Sequence, residues 1–233
     1  MDEEHAAQVS AVAALAEPTR RRLYEYVVRQ ASAVGRDDVA EALDVPRATA
    51  AFHLDRLVGD GLLDVHFERR SGRTGPGAGR PAKLYRRANS SVTVSLPERR
   101  YDLAGELLAT ALAEAERTGE RPAAVLEREA FARGRELAAT VSGEGGREAV
   151  LSVLEQYGFE PRVEDDDGIS LGNCPFHALA QTETELVCGM NLHLLDGVLD
   201  AVPDAPLAAE LRPEPGRCCV RLDVVSERDA QAG

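Results

Sequence analysis

This chain of 233 residues has no long apolar run, and its first residues lack the pattern of a secretory leader. It contains no run of about eighteen consecutive apolar residues, so no segment is predicted to cross a membrane. Its first four residues, MDEE, lack the basic and then apolar pattern of a signal peptide. We therefore expect a cytoplasmic protein without membrane contact, in which thiols normally stay reduced.

Cysteine is also scarce, and the only four are Cys174, Cys188, Cys218 and Cys219, near the end of the chain. A reducing compartment argues against a disulfide framework. The spacings lack the Cys-x-x-Cys pairs that are typical of zinc ribbons. The residues alone leave several roles open: metal ligands, redox groups (including a Cys218–Cys219 disulfide), or small buried hydrophobic side chains.

Acidic residues outnumber basic ones, and the net charge of −13 argues against DNA binding until the two parts of the chain are counted separately. Residues 1–90 contain 14 basic and 13 acidic residues, whereas the remainder contains 13 and 27. Residues 66–87 contain seven basic side chains and one acidic one. Because salt screens charges beyond about 8–10 Å, this local basic stripe determines the attraction to phosphates.

Helical spacing of apolar residues predicts four short helices in the first part of the chain. The second is predicted from Pro18 to Gln30, the third after Asp37, and the fourth after a turn at Asp44 and Pro46. Because Pro46 has no side-chain oxygen, Asp44 is expected to cap the fourth helix. Two short helices joined by a tight turn, the second of them polar and basic, are typical of a helix-turn-helix.

Alternating residues then predict two strands, at 62–67 and 82–86. The segment between them, residues 71–79, is rich in Gly, Pro, Ser and Thr and is predicted to be a loop. Together they indicate a β-hairpin with a basic tip, called a wing. Arg70, Arg73 and Arg80 at this tip can follow the phosphates or enter the minor groove.

Residues 11–87 resemble the winged helix of ArsR-type and related bacterial repressors, through the stretches LAEPTR (15–20), ATAAFHL (48–54) and GRPAKLY (79–85). The resemblance implies a dimer that reads a double-stranded DNA operator, with the fourth helix in the major groove. The alternative for Phe52 and His53 is packing beneath the wing. The candidate DNA-binding residues are Arg47, Thr49, Phe52, His53, Arg56, Arg70, Arg73, Arg80 and Lys83.

The remaining sequence predicts helices followed by a small mixed domain. Helical patterns at 98–118 and 122–140 are rich in alanine, which favours close packing within one chain or between two chains. Later segments predict short strands and a helix from about 187 to 202. The predicted fold is α+β: a winged helix-turn-helix (1–90), a helical linker or dimerisation region (91–143) and a cysteine-containing sensor domain (144–233).

Residues 148–223 resemble the sensor half of the iron–sulfur repressors of the Suf cluster-assembly operon, through NCPFH (173–177), CGMNL (188–192), LDG (195–197) and GRCC (216–219). The resemblance implies a cluster bound by Cys174, Cys188 and one of Cys218 or Cys219. The fourth ligand stays open between the neighbouring cysteine, His177 and His193. Adjacent cysteines cannot easily reach one iron, but they could reach two irons of one cluster. A helix start near Cys188 is also expected to favour its thiolate.

These patterns favour a DNA-binding transcriptional regulator, and a repressor is favoured over an activator. The resemblance implies that an iron–sulfur cluster modulates its operator binding. One alternative keeps the DNA-binding part and makes the C-terminal part a zinc or small-molecule effector domain. A further alternative is an enzyme with a Cys174–His177 pair. Because no third orienting residue or oxyanion site marks that pair, an enzyme is not predicted.

Overall fold

The structure is a computed structural model that describes residues 3–68, 81–140 and 145–225. The chain forms two compact units, Met1–Val94 and Ser95–Gly233. Helices and small antiparallel sheets combine in it, with the helix-turn-helix elements in the first unit, and this confirms the predicted α+β class. Within the described ranges, every helix is too short or too polar to cross a membrane.

The first unit combines four helices with a three-stranded antiparallel sheet of order β1-β3-β2. Strands β2 and β3 pair from Leu63 opposite Arg87 to Glu68 opposite Ala82, as predicted for the stem of a wing. The predicted tip residues Arg70, Arg73 and Arg80 lie outside the described residues. The elements are α1 (Glu3–Ala14), α2 (Pro18–Val28), β1 (Val34–Gly35), α3 (Arg36–Leu43), α4 (Arg47–Gly59), β2 (Leu63–Glu68) and β3 (Ala82–Arg87).

Asp44 shapes the turn between α3 and α4 in a way that the sequence analysis did not anticipate. Its φ of 51° puts it in the left-handed region, and it ends α3. Helix α4 begins after Pro46 without a side-chain cap, so the prediction that Asp44 caps α4 was wrong. A short polar residue tolerates the left-handed conformation better than most, and the turn from α3 needs such a residue.

The second unit carries five helices and a four-stranded antiparallel sheet of order β4-β5-β7-β6 in its described part. Strand β6 was missed because its sequence, LAAEL, has the composition of a helix. It becomes a strand by pairing with β7, from Leu207 opposite Val224 to Leu211 opposite Val220. The elements are α5 (Tyr101–Thr118), α6 (Pro122–Ala139), α7 (Arg147–Gln156), β4 (Pro161–Val163), β5 (Ile169–Leu171), α8 (His177–Thr182), α9 (Thr184–Ala201), β6 (Leu207–Leu211) and β7 (Val220–Val224).

The central helices belong to this second unit, although the sequence favoured a separate region at 91–143. Helix α6 packs closely against α9, and glycines permit the contact. A Cβ on Gly134 would overlap the backbone carbonyl of Leu194, and one on Gly197 would overlap that of Phe131. The two backbones therefore touch directly, and α6 is part of the frame that holds α9 in place.

Replacement of Gly134 should test this packing. Gly134→Ala is expected to lower the free energy of unfolding by about 1–3 kcal/mol, because the added methyl group forces two backbones apart. The matched control is Gly105→Ala in α5, where an added Cβ meets no atom within 4 Å. This change should stabilise the protein by about 0.5–1 kcal/mol through helix propensity. Denaturant unfolding measures both, and equal stability of the two variants would contradict the packing.

Candidate DNA-binding surface and cysteine site

Helix α4 separates an apolar face from an accessible polar one. Ala50, Leu54 and Leu57 are fully buried in the core of the first unit. On the other side Phe52 is 66% exposed, and Arg47 and Arg56 are exposed as well. Thr49 is half-buried. The accessible face thus has the composition of a recognition helix, and its contact with DNA stays a prediction.

His53 on α4 is largely covered, with only 12% of its side chain exposed. Its Nδ1 accepts a hydrogen bond of 3.5 Å from Arg20 Nε and lies 3.7 Å from a carboxylate oxygen of Glu17. Its ring also meets that of Phe52 edge-on, at 5.2 Å between centroids. His53 therefore packs α4 against the start of α2, where Glu17 caps that helix.

The described basic candidates are each paired with a carboxylate in the free protein. Arg47 binds Asp37, with Nε at 2.7 Å from Oδ1, and Arg56 Nε lies 3.0 Å from Asp60. Lys83 Nζ on β3 lies 2.5 Å from Oδ1 of Asp55 on α4. Phosphates must therefore compete with these carboxylates, so each cation contributes less than an unpaired one would.

Asp55 also ties the wing to the recognition helix. Besides Lys83, it accepts a hydrogen bond of 2.7 Å from the hydroxyl of Tyr85 on the same strand. Burial, together with this bond, raises the pKa of Tyr85, so the phenol stays a donor at any physiological pH. The pair fixes β3 beside α4, which keeps the wing stem and the recognition helix in one arrangement.

The four cysteines come from three segments of the second unit. Cys174 follows β5, Cys188 lies in the second turn of α9, and Cys218 and Cys219 directly precede β7. The backbone N–H of Cys218 donates to the carbonyl of Leu171 at 3.0 Å. All four thiols are free; Cys188 and Cys218 are buried, and Cys174 and Cys219 are half-buried.

The thiols interact with one another in a ring. Each of three thiols has its pKa shifted by another thiol: Cys218 lowers that of Cys174, Cys174 raises that of Cys218, and Cys219 raises that of Cys188. Cys174 also acts electrostatically on Cys188, and Cys219 acts on Cys218. We call this group, Cys174, Cys188, Cys218 and Cys219, the cysteine ring. Three distant stretches of sequence thus contribute to one sulfur-rich site.

The ring contains thiols of very different acidity. The pKa of Cys174 is lowered to about 7 by the Cys218 thiol, by the backbone N–H of Phe176 and by the charge of Arg99. Burial acts in the opposite direction. Cys218 is the donor to Cys174 and therefore holds its own proton more tightly. This interaction and burial both raise the pKa of Cys218. Burial and donation to Cys219 raise the pKa of Cys188 to about 12. The prediction of a helix-favoured Cys188 thiolate was therefore wrong, because α9 begins at Thr184 and buries this side chain in its second turn.

Asn191 is a polar member of the site that sequence analysis missed. It lies one turn after Cys188 on α9, is only 2% exposed, and donates from Nδ2 to the sulfur of Cys218 at 3.3 Å. Its Oδ1 has no hydrogen-bond partner among the described residues. The sequence feature that could have identified Asn191 is an asparagine three residues after a cysteine on an otherwise apolar helix face.

The candidate histidines have other partners. His177 Nε2 lies 3.1 Å from the amide of Gln181, and the ring of His193 lies 3.9 Å from carboxylates of Glu127 and Asp196. Within the described part of the chain, no three His, Cys, Asp or Glu side chains are arranged to hold a single metal ion. In the described residues the cysteine ring is therefore not a preformed site for one ion.

Residues 15–66 match the family model described as a helix-turn-helix domain. The first unit carries a helix-turn-helix. The matched region covers α2, α3 and α4 and reaches into β2, which includes the face of α4 described above. This match indicates a DNA-binding transcriptional regulator. No curated protein and no solved structure matches the chain significantly.

Thiol acidity gives a test of the ring. In reduced, metal-free protein, iodoacetamide should modify Cys174 first, because only the thiolate is nucleophilic and Cys174 has the lowered pKa. The rate of modification should rise with pH and reach half its maximum near the pKa of Cys174, about 7. Cys218→Ala removes the thiol donor, so the curve for Cys174 should move to higher pH. Peptide mass spectrometry measures the rate.

The control for this test is Cys188→Ala, which leaves the hydrogen bond between Cys218 and Cys174 in place. Its Cys174 curve should match that of the unchanged protein. A Cys218→Ala curve that coincides with the control would show that the two thiols do not touch.

Proposed function

We propose that this protein is a transcriptional repressor that binds a double-stranded DNA operator as a homodimer and whose cysteine ring holds an iron–sulfur cluster. The match to a helix-turn-helix domain supports a role in transcriptional regulation. The observation that carries the rest is the ring itself: four thiols from three segments, in a chain that also contains a DNA-binding module. The state of the cluster would modulate operator affinity, which is a coupling between two sites.

The donor set of the ring fits an iron–sulfur cluster. Thiolates are the ligands that iron takes in such clusters. Cys218 and Cys219 are adjacent, yet Cys218 pairs with Cys174 and Cys219 pairs with Cys188. In a cluster with two irons, Cys174 and Cys218 would hold one iron, and Cys188 and Cys219 would hold the other. When bound, such a cluster supplies a centre that responds to oxidants and to iron or sulfide supply.

The alternative of a zinc site receives less support from the geometry. A structural zinc ion needs four ligands around one point, and three of them are not found together in the described residues. Both histidines that were candidates for completing such a site have contacts elsewhere. A small-molecule effector remains the other alternative, and metal analysis separates all three.

Anaerobic purification, followed by reconstitution with ferrous iron and sulfide, tests the cluster. We expect brown protein with about equal iron and sulfide and charge-transfer absorption in the visible range. Cys188→Ser should lose the colour and the iron, while circular dichroism stays unchanged. His193→Ala is the matched control on the same helix and should keep both. Colourless wild-type protein, or iron retained in Cys188→Ser, would contradict the proposal.

The DNA-binding role is tested by the salt dependence of binding to any duplex DNA. Arg80→Ala and Lys83→Ala should each weaken binding and lower the slope of log Kd against log salt by about one unit per lost phosphate contact. The control is Arg128→Ala on α6, where the guanidinium binds Glu114 and Glu120 in the acidic second unit. Fluorescence anisotropy at several salt concentrations measures the slope. If the slopes of both variants equal that of the control, the wing does not contact DNA phosphates.

A further inference from the structure

The segment that begins the second unit, residues 95–100, is bonded directly to the loop that carries Cys174, and we call this segment the connector. Arg99 Nη1 donates to the carbonyl of Cys174 at 3.0 Å and also binds the side-chain oxygen of Asn173. Asn173 Nδ2 in turn donates to the carbonyl of Glu98 at 3.0 Å. The Arg100 N–H donates to the carbonyl of Pro175 at 3.1 Å. Four hydrogen bonds thus join residues 98–100 to residues 173–175.

Asn173 anchors this junction in the second unit. It is only 6% exposed, and its Nδ2 also donates to the carbonyl of Gly158 at 2.6 Å. Its backbone N–H donates to the carbonyl of Phe159 at 3.1 Å. Both the oxygen and the nitrogen of the Asn173 side-chain amide therefore have hydrogen-bond partners. Loss of a partner would leave a buried polar group unsatisfied.

The connector is also short. Val92 packs against the core of the first unit, and Glu98 already belongs to the junction with the Cys174 loop. Only residues 93–97 lie between these two anchored points. Because each residue spans at most about 3.3–3.6 Å, the junction lies within a short length of chain from the first unit.

We propose that Arg99 and Asn173 are positioning residues that transmit the state of the cysteine ring to the winged helix through residues 95–100. The inference rests on the proposed function for the identity of the signal, but the junction itself is independent of any cluster. Arg99 contacts the backbone of Cys174, and its charge also acts on the Cys174 thiolate. A change at that sulfur which displaces residues 173–175 must break or shift the bonds that hold residues 98–100.

Hydrogen exchange in metal-free protein tests the junction without any cluster. Alkylation of Cys174 with iodoacetamide adds bulk at the ring and should speed up amide exchange of residues 95–100 several-fold. In Arg99→Ala, exchange of this segment should already be fast, and alkylation should add little. If alkylated wild-type protein exchanges its connector as slowly as unmodified protein, the inference is wrong. This result does not depend on iron, so it is distinct from a failure of the proposed cluster.

Regulation is measured on the reconstituted protein, as the ratio of duplex-DNA affinities with and without the cluster. The wild-type ratio should lie in the usual allosteric range of about 5–150-fold. Arg99→Ala should reduce it below about twofold with unchanged iron content, and Arg99→Lys should restore part of it. The control is Arg100→Ala, because the Arg100 side chain contacts Gln156 and Glu98 and not the cysteine loop. An Arg99→Ala protein with full iron and the wild-type ratio would overturn the inference.

Discussion

The pairing of β5 with β7 is the constraint on which the cysteine ring depends. Ile169 of β5 lies opposite Leu222 of β7. The backbone N–H of Cys218 donates to the carbonyl of Leu171 at the end of β5, which brings Cys218 to the segment that carries Cys174. A change in this alignment would separate the two thiols. The site therefore exists only because the sheet has this alignment.

The ring also has a consequence for metal loading. Burial raises the pKa of Cys188, the interaction with Cys174 and burial raise that of Cys218, and the pKa of Cys174 is lowered to about 7. Metal ligation requires thiolates, so the proposed loading would release protons and would be favoured by higher pH. Cys174, the most acidic of the three, is the thiol that can act first, and its backbone is the one that Arg99 holds.

The two units differ in their charge. Most of the negative charge lies after residue 90, where it repels nucleic acid, and the basic residues of the wing lie before it. Even there, Arg47, Arg56 and Lys83 are matched by carboxylates. If these residues contact DNA as predicted, charge alone would attract it less strongly, and shape and hydrogen bonding on α4 would take a larger share of recognition.

The sequence by itself determined the local elements: the four N-terminal helices, the strands of the wing stem, the long helices of the second unit and its main strands. Periodicity shows which side of a segment is apolar, and this suffices for a helix-turn-helix that packs on its neighbours in sequence. Periodicity does not show what a face packs against. For that reason β6, the burial of His53 and the packing of α6 on α9 were missed or left open.

Only the tertiary structure decided the arrangement of the cysteines. The sequence presented Cys218 and Cys219 as alternatives, because adjacent residues look equivalent along the chain. In the fold, successive residues near a strand point in different directions, so Cys218 meets Cys174 and Cys219 meets Cys188. The contacts of Asn191 with Cys218 and of Arg99 with the Cys174 loop join residues 27 and 75 positions apart. Such contacts depend on strand register and helix packing, which are non-local and leave no pattern in a single sequence.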